Sequence, residues 1–69
     1  MKISARNILS GTVVSVTKGA TTAHVVIEIA PGQRITASIT NEAVDDLGLV
    51  AGKPAKALIK SSDVLVAVD

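Results

Sequence analysis

Apolar and polar positions alternate with a period of two along much of this chain, the mark of strands buried on one face. Over Ile8 to Thr17, Leu9, Gly11 and Val13 fall on one side and Ser10, Thr12, Val14 and Val16 on the other, until Lys18-Gly19-Ala20 ends the run in a turn. Gly11 inside this stretch predicts a bulge or bend, as a small curved barrel requires. Thr21 to Ala30 sets Ala23, Val25, Ile27 and Ile29 against Thr22, His24, Val26 and Glu28. Pro31-Gly32 then supplies turn chemistry. Gln33 to Thr40 repeats the pattern, with Ile35, Ala37 and Ile39 inward and Arg34, Thr36 and Ser38 outward.

The period changes at Thr40-Asn41. Either residue suits an N-cap, Glu42 falls in the first turn, Val44 and Leu47 stand three apart, and Gly48 is placed as a stop, so one short helix is predicted. Ala51-Gly52-Lys53-Pro54 reads as a turn, after which Ala55, Ala57 and Ile59 alternate with Lys56, Leu58 and Lys60. Val64 to Val68 is wholly apolar, which predicts a last strand covered on both faces. This order predicts an all-β fold: a small OB-like five-stranded barrel with one short helix between strands 3 and 4. Neither a linker nor an internal repeat divides the chain, so residues 1–69 are expected to form a single domain.

Composition changes the picture in one respect. A chain of 69 residues buries only about 60% of the surface its unfolded form exposes, and is marginal alone. It has no Cys and a single His, so neither disulfides nor a zinc centre can supplement the core. Self-association remains. The chain is 48% hydrophobic without one Phe, Tyr or Trp, and small β-branched side chains suit tight sheet packing and broad subunit contacts.

Charge and composition also exclude functions. OB barrels often bind oligonucleotides, so an oligonucleotide-binding module is the alternative reading. That chemistry stacks bases on aromatic side chains in a basic groove, whereas this chain has no aromatic residue and a net charge of +1. No run approaches the roughly 18 apolar residues of a membrane-spanning helix, and Met1-Lys2-Ile3-Ser4 lacks the apolar core of a signal peptide. A cytoplasmic protein without membrane or nucleic-acid partners is expected. No nucleophile has a recognisable base partner, and no phosphate-binding glycine loop is present, so the expectation is a binding protein and not an enzyme.

Two polar runs carry the candidate chemistry. Ser4-Ala5-Arg6-Asn7 and Lys60-Ser61-Ser62 each abut a β-patterned segment and combine hydroxyls, backbone N–H groups and cations. A small dianion accepts hydrogen bonds and donates none, so it requires such a donor set. Each run alone reads as a solvated loop; together they read as two halves of one anion site. Lys18-Gly19-Ala20 allows a close approach of backbone to an anion, and read alone is a hairpin turn. His24, on the polar face of its strand, reads as a surface or interface residue and at most lines a second anion site or a symmetry axis. Glu42, Asp45 and Asp46 read as helix-stabilising carboxylates.

Ser4-Ala5-Arg6-Asn7, Leu9-Ser10-Gly11-Thr12-Val13, Lys18-Gly19-Ala20, Ile39-Thr40, Leu47-Gly48-Leu49 and Ile59-Lys60-Ser61-Ser62 together resemble the molbindins, stand-alone Mop-type molybdate-binding proteins. The likeness runs nearly end to end. It implies a cytoplasmic homo-oligomer, a hexamer built as a trimer of dimers, that stores molybdate or tungstate between subunits without an organic cofactor or a directly ligated metal. Carried over by residue, Ser4, Ala5 and Arg6 would donate from one side, Arg6 through its side chain or only its N–H, and Lys60, Ser61 and Ser62 would complete the shell. A second oxyanion site would use Lys18, Gly19, Ala20 and Thr40.

Overall fold

The computed structural model describes residues 1–69. Four strands, β1 (Asn7–Lys18), β2 (Thr22–Ala30), β3 (Gln33–Thr40) and β4 (Pro54–Ile59), carry one helix, α1 (Asn41–Leu47), between β3 and β4. They form one antiparallel sheet in the order β3-β2-β1-β4. The long β1 joins its two halves: its first part pairs with β4, its second with β2, and Thr12 lies opposite both Pro54 and Glu28. That double pairing curls the sheet around a core of Val13, Ala23, Val25, Ile27 and Val44.

Two details of β1 differ from its simple alternation. The bulge lies not at Gly11 but at Val14, which has no partner between Val13↔Ile27 and Ser15↔Val26. The extra residue shifts the phase, so Val16 joins the inner face opposite Val25 and packs against the core, contrary to the face its alternation assigns. Gly11 serves the curl in another way. A Cβ there would stand 2.4 Å from the Glu28 carbonyl oxygen and 2.8 Å from Ile27 Cγ2, so the backbones of β1 and β2 cross where only glycine fits.

Local chemistry accounts for the remaining elements. Pro31 and Gly32, the latter at φ 76°, occupy the central positions expected of a type II turn. Thr40 is the N-cap of α1, its hydroxyl accepting the Ala43 N–H at 3.0 Å. At the other end Gly48 is left-handed at φ 62°. Its N–H reaches the Asp45 carbonyl at 3.1 Å and the Leu49 N–H reaches that of Val44 at 3.0 Å, a Schellman stop. The Lys53 ammonium donates to the Leu47 carbonyl beyond it. Val13 N–H to the Lys53 carbonyl, 2.9 Å, and Gly52 N–H to the Val13 carbonyl, 2.8 Å, then bind the loop before β4 to β1.

The predicted fifth strand is the main correction. After β4 the chain makes a 3-10 turn over Ser61–Asp63, and Val64 to Val68 continues without entering the sheet. Leu65, Val66 and Val68 are about nine-tenths exposed, at 94%, 89% and 94%. The run has strand-forming residues but no strand of its own chain beside it, and β-structure exists only as a pair. The OB-like order of strands with its intervening helix otherwise stands, with four strands in place of five.

Candidate functional site: a cationic end of the β1–β4 ladder

The β1–β4 pairing decides where the two polar runs lie. Asn7 is opposite Ile59 in the ladder, and the Asn7 side-chain amide donates to the Ile59 carbonyl at 3.1 Å. Ser4-Ala5-Arg6 and Lys60-Ser61-Ser62 therefore leave the sheet side by side, from the same end. One further step of that register sets Arg6 against Lys60. Two cations facing each other across a strand pair repel, and neither has an acidic partner, since the ion pairs of the chain are Lys18–Asp45 and Arg34–Glu28. A dianion between them would turn this repulsion into attraction.

The turn after Lys60 adds backbone donors. Its own hydrogen bonds run from Asp63 N–H to the Lys60 carbonyl, 2.9 Å, and from Val64 N–H to that of Ser61, 3.3 Å. The N–H groups of Ser61 and Ser62 open the turn and have no acceptor in it, as the leading N–H groups of any helical turn do not. Both residues are exposed, as are Ser4, Arg6 and Lys60, while Ala5 is half-buried. The six residues bring hydroxyls, amides and two cations to this end of the sheet.

The second set, Lys18, Gly19, Ala20 and Thr40, is also brought together, but most of its donors and acceptors are engaged. Gly19 N–H donates to the Thr22 carbonyl at 2.8 Å, and the Lys18 ammonium stands 2.6 Å from Asp45 Oδ1. Thr40 is the helix cap described above. Asn41 ties this turn to α1: its N–H reaches the Thr21 carbonyl at 2.9 Å and its side-chain amide reaches that of Gly19 at 3.0 Å, leaving its Oδ1 buried without a partner. The sequence signalled Asn41 only as a candidate cap. The ladder puts His24 opposite Thr17 and Ser38, exposed on the outer face of the sheet.

One feature has no counterpart in the sequence motifs. The inner face of the sheet opens into an apolar groove of about 410 Å³, lined by Val25, Ile27, Ala37, Ile39, Leu47, Leu49, Pro54 and Ala55, with Lys53 and Lys56 as its charged residues. It involves the start of β4, whereas Lys60-Ser61-Ser62 lies beyond its end. Strand alternation foretells which residues face inward, but only the curl of the sheet decides that they leave an open groove.

A curled antiparallel sheet with a capping helix before its last strand, and a donor-rich cationic end, defines an OB-like binding module. Residues 3–66 match the family profile of the TOBE domain. The chain is 50% identical over 66 residues to molybdenum-pterin-binding protein 3 of Clostridium pasteurianum, covering 96% of this chain and 97% of that protein. Among solved structures, a molybdate-binding protein from Sporomusa ovata superimposes with a TM-score of 0.91 at 40% identity over 99% of this chain and all of the other. ModG, a cytoplasmic molybdate-binding protein solved with molybdate bound, gives a TM-score of 0.90 at 46% identity over 94% of this chain and 46% of its own. The chain belongs to the molbindin, or Mop-type, family of TOBE domains.

Proposed function

We propose that this protein binds molybdate, and the isosteric tungstate, at the end of the β1–β4 ladder. The observation that carries the reading is the Asn7–Ile59 pairing, from which Ser4-Ala5-Arg6 and Lys60-Ser61-Ser62 leave the sheet at the same end, with neither Arg6 nor Lys60 in an ion pair. Hydroxyl and amide donors would converge on the tetrahedral oxygens while Lys60 and Arg6 offset the charge. The family membership and the molybdate-bound relative support the same ligand. Sulfate has the same shape and charge, so discrimination against it rests on cavity size, whereas a protonated phosphate would set its O–H against donors. Lys18, Gly19, Ala20 and Thr40 make a weaker second site, because Lys18 is paired and Thr40 caps the helix.

Five of the six residues at the ladder's end are exposed, and we take a second copy of the chain to cover them, in a cytoplasmic hexamer that stores and releases the anion without catalysing a reaction. No helix is long and apolar enough to cross a membrane. Titration calorimetry with molybdate on three variants tests the site. Lys60→Ala removes a charge-assisted hydrogen bond and is expected to weaken binding by about tenfold to a hundredfold. Lys56→Ala, at the same alternation phase of the chain as Lys60 but four residues earlier, is expected to bind like the unsubstituted protein. Ser4→Ala falls between, since backbone N–H groups remain. Unchanged affinity in Lys60→Ala would remove the site from consideration.

A further inference from the structure

Asn7 breaks the pattern of the strand it opens. From Ala5 to Val13 the odd-numbered positions are the buried or half-buried ones, and apart from Asn7 they are Ala5, Leu9, Gly11 and Val13. The β4 residues opposite, Ile59, Ala57 and Ala55, are apolar too, and Ala55 and Ala57 pack against the core. A leucine would suit position 7 better by this pattern, because an amide withdrawn from water costs free energy unless it is hydrogen-bonded. The Asn7 amide has one such bond, to the Ile59 carbonyl at 3.1 Å. It is the only side-chain hydrogen bond that joins β1 to β4. The next residues outward are Arg6 and Lys60, both exposed and neither in an ion pair. Their repulsion acts to splay the two chain segments where the backbone ladder has ended, and the Asn7 bond, on the last rung, opposes it.

We propose that Asn7 is a positioning and specificity-determining residue of the oxyanion site: its amide, tied to the Ile59 carbonyl, fixes the gap between Ser4-Ala5-Arg6 and Lys60-Ser61-Ser62 and so holds the site at the size of molybdate against the smaller sulfate. This rests on the oxyanion reading given above. Asn7 does not touch the anion in this role. Its leverage comes from the peptide bond. The Ile59 carbonyl and the Lys60 N–H belong to one planar unit, so fixing the carbonyl fixes the direction of the N–H on its other side. The Asn7 side chain thus reaches from the residue after Arg6 to the peptide that begins Lys60. Sulfate and molybdate have the same charge and shape, and donors free to move inward would serve either anion. Preference for the larger one needs donors that cannot follow the smaller one inward.

Asn7→Leu and Asn7→Ala in the full chain both remove the amide, and the leucine keeps the bulk that this face accepts. Circular dichroism and sedimentation are expected to match the unsubstituted protein; loss of the fold in both variants would assign Asn7 to stability and overturn the positioning role. Titration calorimetry with molybdate and with sulfate then reads the ratio of the two affinities. Molybdate binding is expected to weaken by about threefold to tenfold, and sulfate binding by less, so the preference for molybdate falls. Equal weakening of both anions, or an unchanged ratio, would overturn the proposal. Backbone amide order parameters from NMR relaxation, measured without anion, are expected to fall at Arg6 and Lys60 and to hold at Thr17 and Lys18, the far end of β1; unchanged values at Lys60 would overturn the tie. An unsubstituted protein that binds no molybdate overturns the oxyanion reading itself. One that prefers molybdate by a ratio neither substitution moves leaves that reading standing and removes Asn7 from it.

Discussion

At Gly11 a single methyl group separates a possible sheet from an impossible one. Its ideal Cβ would lie 2.4 Å from a backbone oxygen, which cannot rotate aside as a side chain can. Gly11→Ala is therefore expected to lower stability by about 1–3 kcal/mol or to abolish folding, as read by denaturant midpoint. Gly32 is a useful contrast, since a Cβ there meets nothing within 4 Å but the residue sits at φ 76°. Gly32→Ala should cost only the left-handed strain, roughly 1–2 kcal/mol. A larger loss at Gly32 than at Gly11 would contradict the close crossing of β1 and β2. Lys18 and Lys60 show the same dependence on surroundings: both are exposed lysines at the end of a strand, yet only Lys18 has a carboxylate beside it.

The helix is short enough that its ends decide whether it forms. Seven residues give few internal hydrogen bonds, and isolated helices of that length are unstable. Thr40 at one end, the Schellman stop at the other and Val44, 4% exposed in the core, hold it. Thr40→Ala is expected to destabilise the fold by about 1 kcal/mol. Amide exchange should then accelerate in α1 and in the adjoining turn at Lys18–Thr21, which Asn41 ties to it, and not in the β1–β4 ladder. Uniform acceleration through the whole chain would show that the cap acts on global stability alone. The bulge at Val14 is the corresponding device in β1, where one extra residue keeps both Val13 and Val16 turned to the core along a bent strand.

As a whole molecule the monomer is short of interior. Only five of its 69 residues are buried, all of them apolar, and the largest fully buried ones are two valines. A core so small does not account for an independently stable domain, so the melting temperature is expected to rise with protein concentration and, separately, with molybdate. Sedimentation at low micromolar concentration should show a stable oligomer, with six chains as the expected count. A monomer whose melting temperature is independent of concentration would show that the four-stranded sheet suffices alone.

Alternation by itself determined most of the elements: the limits of β3, the inward faces of β2 and β4 and the polar partners of α1 all follow from side-chain periodicity and capping, which are local properties of the chain. Three matters were settled only in three dimensions. The phase of β1 changed at Val14 because a bulge answers to the curvature of the sheet, and no local pattern distinguishes Val14 from Val13. The two polar runs came to the same end of the sheet because antiparallel pairing brought Asn7 to Ile59, 52 residues apart. The run Val64–Val68 has the composition of a strand and is not one, because a strand requires a neighbour to accept its hydrogen bonds and the sheet ends at β3 and β4 without it.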